Sequence, residues 1–150
     1  LINVNYKSFL IASHVCIPIM IEQKSGNIVS MGSDAGRIGN PTEVLYCGTK
    51  AAIMASSKAM AKELARYNIR VNCISPGPVD GQRARSVIEA KSRALNIPVE
   101  NIIAEKTAGT ALGRFVTEAE VAHVAVFLAS PYASGITGQN ITVDAGSIHR

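Results

Sequence analysis

Residues 26–50 read GNIVSMGSDAGRIGNPTEVLYCGTK: a short β-branched stretch, a glycine-serine break, a turn rich in glycine and proline, and the start of an apolar helical pattern. A strand running directly into a helix is the repeating unit of a parallel sheet. The unit recurs downstream. Asn27 to Met31, Ile69 to Ser75 and Asn140 to Asp144 read as strands, each separated from the next by helical pattern. That order predicts an α/β fold, a parallel sheet covered by helices.

The helices have their own signatures. Val4 to Gln23 is apolar nearly all round, as a helix buried between neighbours should be, and Pro18 is expected to kink it or end it early. From Glu43 to Tyr67 a helical spacing of Leu45, Ala52, Ile53, Ala55, Met60 and Leu64 predicts a long helix that Asn68 stops. Another is expected over Arg83 to Leu95, with a short turn beginning at Pro98. The last covers Glu118 to Ala129, opened by a Thr117-x-x-Glu120 capping box and ended at Ser130-Pro131. With no repeat, low-complexity tract or linker, residues 1–150 read as one domain or a piece of one.

Composition narrows the function. The 150 residues are 47% hydrophobic and 17% charged, which suits a folded core and excludes disorder. The net charge of +4 is scattered, with no Trp and few aromatic residues for stacking, so nucleic acid is not an expected partner. The longest apolar run, Val15 to Ile21, is too short to span a bilayer and holds Pro18; no membrane partner and no targeting peptide are expected. Cys16, Cys47 and Cys73 have no C-x-x-C spacing and read as buried free thiols of a reducing, cytoplasmic compartment. His14, His123 and His149 lack metal-ligand spacing, so no metal is expected. Met20, Met31, Met54 and Met60 read as core filling. The Asn140-Ile141-Thr142 sequon lies in an expected buried strand, and Asp144-Ala145-Gly146 reads as a structural turn.

Tyr46 and Lys50 stand four apart on the expected long helix, so phenol and ammonium share one face. A cation beside a phenol favours the phenolate, which makes a tyrosine a usable proton carrier. Alone the pair is an ordinary surface pair. Its company changes the reading: Ser33 ends the first strand thirteen residues before Tyr46, and Pro76-Gly77-Pro78 ends the second. Loops at the carboxyl ends of parallel strands open on one crevice. Ser33 and Asp34 show no G-x-S-x-G elbow, which leaves a Ser-His-Asp hydrolase unsupported.

Over essentially its whole length the chain resembles the short-chain dehydrogenase/reductase family. The matching segments are NVNYKSF (3–9), IVSMGSDAG (28–36), YCGTK (46–50), RVNCISPGP (70–78), LGRFVTEAEVA (112–122) and TGQNITVDAG (137–146). The resemblance implies a Rossmann-like doubly wound parallel sheet and NAD(P)-dependent interconversion of a secondary alcohol and a ketone. It implies Tyr46 as general acid/base, Ser33 holding the substrate oxygen, Lys50 tuning Tyr46 and bonding the nicotinamide ribose, and Asn5 completing a water-mediated relay through Lys50. Pro76, Gly77 and Val79 would pass against the nicotinamide, and the residues from Asp80 to about Thr110 would form a substrate lid. Gly81 departs from the family's threonine. No glycine-rich dinucleotide loop is present, so the family's amino-terminal half is expected to be absent, and NAD and NADP stay undistinguished. The lid and SDAGRIGNP (33–41) resemble bacterial members acting on hydroxyacyl thioesters or cyclic alcohols. A homo-oligomer, dimer or tetramer, is implied for the complete enzyme; a non-catalytic scaffold piece is the rival reading.

Overall fold

The computed structural model describes residues 1–148. Three strands, β1 (Gly26–Met31), β2 (Ile69–Pro76) and β5 (Asn140–Val143), form a parallel sheet in the order β1-β2-β5. Their register runs Gly26↔Ile69 to Met31↔Ile74 and Cys73↔Asn140 to Pro76↔Val143. A second, two-stranded parallel pair joins β3 (Val79–Asp80) to β4 (Val116–Thr117). The helices are α1 (Ser8–Gln23), α2 (Ala35–Ile38), α3 (Val44–Leu64), α4 (Gln82–Leu95), α5 (Val99–Thr107) and α6 (Glu118–Ala129).

Both faces of the sheet are covered. Ala61 and Leu64 of α3 pack on Ile69 and Val71, joined by Ile17, Met20 and Ile21 of α1. On the other face Leu128 of α6 and Ala133 close over Ile74. Alternate residues of β2 thus supply opposite cores, which is why its sequence reads as a continuous apolar run broken only by polar residues with buried partners. Asn72, fully buried, donates to the Ile136 carbonyl and accepts from the Gln139 N–H. Arg70 donates to the Leu128 and Ser130 carbonyls and so caps the end of α6.

Most expected boundaries hold to within a residue or a turn. Asn68, at φ 58°, stops the short 3₁₀ turn Ala65–Tyr67 that follows α3. The capping box forms in both directions: the Glu120 N–H donates to Thr117 Oγ1 at 3.1 Å, and the Thr117 N–H donates to Glu120 Oε2 at 2.7 Å. The Arg114 guanidinium grips the same carboxylate at 2.7 and 2.9 Å. Arg114 foremost, with the Thr117 N–H, holds the Glu120 carboxyl down at about 2. A depressed carboxyl stabilises the fold above its ordinary range and loses that contribution as pH falls through the folded value. Replacing the cap, Thr117→Ala, should cost about 1 kcal/mol and lower the thermal midpoint by several degrees, as followed by circular dichroism.

Five expectations need correction. The first helix is continuous through Pro18, because one missing N–H leaves only the carbonyl of exposed His14 to be solvated while flanking bonds persist. Nor is that helix buried all round: Ile11, Val15 and Ile19 are exposed, and only the face carrying Ile17, Met20 and Ile21 meets the core. With the π-helical turn Asn3–Lys7 it forms a 21-residue helix, Asn3–Gln23, that is long and apolar enough to cross a membrane by length and composition. Pro98 opens not a turn but the nine-residue helix α5, for which it is the N-cap. Of the free cysteines only Cys73 is buried; Cys16 is exposed and Cys47 intermediate.

Candidate active site

The carboxyl ends of β1 and β2 lead their loops to one edge of the sheet, and the amino-terminal turn of α3 rises beside them. A cavity of about 960 Å³ opens there, in the range of small-molecule sites. Its walls include Ser33, Tyr46, Lys50, Pro76, Gly77 and Val79. Sequence separations of up to 46 residues thus close on one space. Asn5 is not in the wall. Its Nδ2 donates to Thr49 Oγ1 at 3.1 Å, and the Thr49 hydroxyl donates to the Tyr46 carbonyl at 2.9 Å. Asn5 therefore braces the helical turn between Tyr46 and Lys50 from within the π-helical turn, a backbone irregularity frequent at functional sites.

Ser33 Oγ accepts the Ala35 N–H at 3.2 Å. That bond points a lone pair at the backbone and leaves the hydroxyl proton to donate into the cavity. Tyr46 stands across from it with Lys50 one turn on; the Lys50 ammonium is 5.8 Å from the Tyr46 ring centroid. Lys50 Nζ also donates to the Met31 carbonyl at 2.9 Å, so the lysine is tied to the end of β1. Among the described residues no carboxylate pairs with it. Burial pushes the ammonium below the ordinary lysine value; Cys73 acts the other way only as a thiolate, and burial pushes that thiol up. The site thus holds a half-buried cation with no ion-pair partner among the described residues, although Glu43 and Glu118 stand in the same cavity wall.

Glycines set the closeness of the parts. A Cβ on Gly36 would lie 2.8 Å from the Ala51 nitrogen, so α2 seats the Ser33 loop directly on the α3 backbone. A Cβ on Gly77 would lie 2.6 Å from Asp144 Cβ and 2.7 Å from Asp34 Oδ2. Gly77→Ala should therefore push the Pro76–Val79 loop outward and cost about 1–3 kcal/mol of stability, seen as a lowered thermal midpoint. Gly81, the N-cap of α4 at φ −125°, has an extended backbone open to any residue; an added Cβ would meet only the flexible tip of Glu118. The Val79 carbonyl accepts the Gly81 N–H at 3.0 Å and keeps one lone pair.

The far wall comes from the segment expected as a lid, with Val87 and Ile88 of α4 and Lys106 of α5, and from Phe115 beyond it. Met31, read from sequence as core, is 42% exposed and lines the cavity instead. Thr49 and Tyr6, whose hydroxyl meets Ser56 Oγ at 2.9 Å, were not singled out in sequence, since a helical threonine or tyrosine carries no signal of its partner 44 or 50 residues away. His14 and His123 are exposed, and His149 lies outside the described residues. No metal-ligating cluster occurs among the described residues.

Comparison with known proteins agrees with this fold. A family model described as enoyl-(acyl carrier protein) reductase matches residues 1–147. A 3-oxoacyl-(acyl-carrier-protein) reductase FabG of Thermotoga maritima is 39% identical over 149 residues, covering 98% of this chain and 55% of that protein. Dehydrogenase/reductase SDR family member 6 of Aquarana catesbeiana is 37% identical over 145 residues, covering 96% of this chain and 57% of that protein. Among solved structures, an actinorhodin polyketide ketoreductase variant with NADPH superposes with a TM-score of 0.78 at 33% identity, over 87% of this chain and 50% of its own. The chain spans about half the length of the curated relatives it matches. Sequence, sheet order and site edge together make the chain a member of the short-chain dehydrogenase/reductase family.

Proposed function

We propose that the whole protein is an NAD(P)-dependent oxidoreductase that interconverts a secondary alcohol and a ketone at the cavity between Ser33, Tyr46 and the Pro76–Val79 loop. The observation that carries the reading is the convergence of Ser33, Tyr46 and Lys50 on one cavity edged by that loop. A phenol and a hydroxyl facing one space can hold a single carbonyl oxygen, Ser33 donating to it and Tyr46 supplying the proton as charge develops. Lys50 supports this as a cation with no ion-pair partner among the described residues, beside the Tyr46 ring and within reach of a ribose hydroxyl. Asn5 acts through the turn it braces, keeping Lys50 and Tyr46 in register and completing the relay.

The residues present fit a nicotinamide. At Gly77 only backbone borders the cavity, because the direction a Cβ would take leads away from it into Asp144 and Asp34. Pro76 and Gly77 would flank the ring, and Val79 would meet the carboxamide through its backbone. The cofactor, when bound, supplies the hydride. The apolar part of the far wall, Val87, Ile88 and Phe115, favours a substrate with an aliphatic or cyclic body, a 3-oxoacyl thioester or a cyclic ketone.

The test is oxidation of NADPH and NADH by the whole protein with an acetoacetyl thioester and with a cyclic ketone, run beside cofactor titration. Ketone-dependent cofactor oxidation is expected. Saturable cofactor binding without turnover on any ketone would contradict the reaction assigned, and no cofactor binding at all would favour a scaffold.

A further inference from the structure

Beneath the site, on the side away from the cavity, the segment after β5 turns back under the two loops that bear Ser33 and Gly77. Ser147 Oγ lies there 2.6 Å from Asp34 Oδ2 and 3.0 Å from Asp144 Oδ2. A hydroxyl has one proton to donate. It can satisfy one of those carboxylates, and its lone pairs would then face the negative charge of the other at hydrogen-bond distance. We infer that Asp34 holds a proton and donates it to Ser147, which in turn donates to Asp144, and that this chain of three side chains clamps the carboxy-terminal segment under the Ser33 and Gly77 loops.

The structure distinguishes the two carboxyls. Asp144 receives the Gly146 N–H on Oδ1 at 2.9 Å and the Ile148 N–H on Oδ2 at 2.7 Å, donors that favour an anion. Asp34 is 8% exposed, and its buried Oδ1 has no hydrogen-bond partner among the described residues. An anion there would be desolvated with only Arg37 and a Ser147 proton shared with Asp144 to offset the cost. The two environments act in opposite directions. Burial foremost pushes Asp34 above the ordinary carboxylate range, with the Asp144 charge adding and Arg37 opposing; the Ser147 proton would oppose as well if it turned to Asp34, but Asp144 would then lose it. For Asp144 burial is outweighed by the N–H groups of Ile148 and Gly146, by Ser147 and by Arg37, and its carboxyl is held low. Among the described residues Asp144 and Arg37 are the charged groups acting on Asp34, and Arg37 Nη1 is engaged with Thr142 Oγ1.

The clamp bears on the active site through direct contacts. The Asp34 N–H, one residue after Ser33, donates to the Pro76 carbonyl at 3.1 Å, and the Gly77 N–H donates to the Val143 carbonyl at 2.9 Å. Gly77 itself sits against both carboxyl side chains, with no room for a Cβ between them. Asp34 is thus a positioning residue for the two loops, an assignment that rests on the proposed roles of Ser33 and Gly77. Because its folded-state pKa is raised, its contribution to stability is fully present below the ordinary aspartate range and is lost as pH rises through the folded value. Above that point two anions flank one hydroxyl and the clamp loosens.

Infrared difference spectroscopy of the whole protein against Asp34→Asn, with carbon-13-labelled aspartate, reads the proton directly. A protonated-carboxyl band that outlasts those of the other aspartates as pH is raised, and is missing from Asp34→Asn, is expected. A band that titrates with the exposed aspartates would overturn the proposal. The thermal midpoint of the wild type should fall as pH rises through the same titration, whereas Asp34→Asn, a neutral donor at every pH, should show no such step; parallel profiles would also overturn it. Ser147→Ala and Asp34→Ala should each lower kcat/KM for the ketone roughly tenfold through misplaced loops, with Asp34→Asn restoring most of the loss relative to Asp34→Ala. Equal loss in both Asp34 variants would remove the positioning role. The infrared and melting results need no turnover, so they stand apart from any failure of the proposed reaction.

Discussion

Tyr46→Phe is expected to reduce ketone turnover by about 100-fold or more while leaving the fold and cofactor binding near those of the wild type. The substitution removes one oxygen from a half-buried ring that lines the cavity and keeps the ring against Lys50. Packing is therefore preserved, and the loss falls on proton transfer alone. Steady-state kinetics with cofactor titration separates the two: kcat should collapse while the cofactor Kd changes little. A large change in Kd with kcat intact would place Tyr46 in cofactor binding and leave the proton to another group. Among the described residues no second phenol lines the cavity to replace it.

The second large effect is expected at Ser33. Ser33→Ala keeps the backbone bonds of the loop, the Gly36 N–H to the Ser33 carbonyl among them, and deletes the hydroxyl that faces the cavity. A donor aimed at the oxygen where charge develops lowers the barrier by about 2–4 kcal/mol, so turnover should fall roughly 30- to 1000-fold. The Ala35 N–H loses its Oγ acceptor in the same variant, at a buried helix start, a cost of about 1 kcal/mol. The thermal midpoint should then move far less than the rate. Ser33→Thr, which restores a hydroxyl, should recover part of the activity.

The fold was legible because its signals are local. Strand and helix periodicities, the Thr117 box, Asn68 and the Ser130-Pro131 stop each act within a few residues, and the structure realises them. The expectation for the first helix failed for the opposite reason. Apolar residues all round say that a helix can be buried, yet what covers each face is set by other elements, and here Ile11, Val15 and Ile19 lie open. Pro98 misled because a proline that ends one segment also suits the start of the next. The site divides in the same way. Tyr46 and Lys50 share a helix face by periodicity, and Ser33 and Gly77 share a sheet edge by topology. The contacts that hold them are long-range: Asn5 to Thr49, Lys50 to the Met31 carbonyl, Ser147 to Asp34 across 113 residues. Spacing cannot show such pairs, because only the folded chain brings them within hydrogen-bond distance.

The central claim is hydride transfer to a ketone with the proton delivered by Tyr46, and it is tested most directly by a single turnover with nicotinamide cofactor carrying deuterium at the transferable position. The whole protein should place that deuterium on the carbinol carbon of the product, read by mass spectrometry, and Tyr46→Phe should bind the same cofactor yet form the labelled alcohol about 100-fold more slowly or worse. Product without the label, or labelled product formed at the wild-type rate by Tyr46→Phe, would contradict the account.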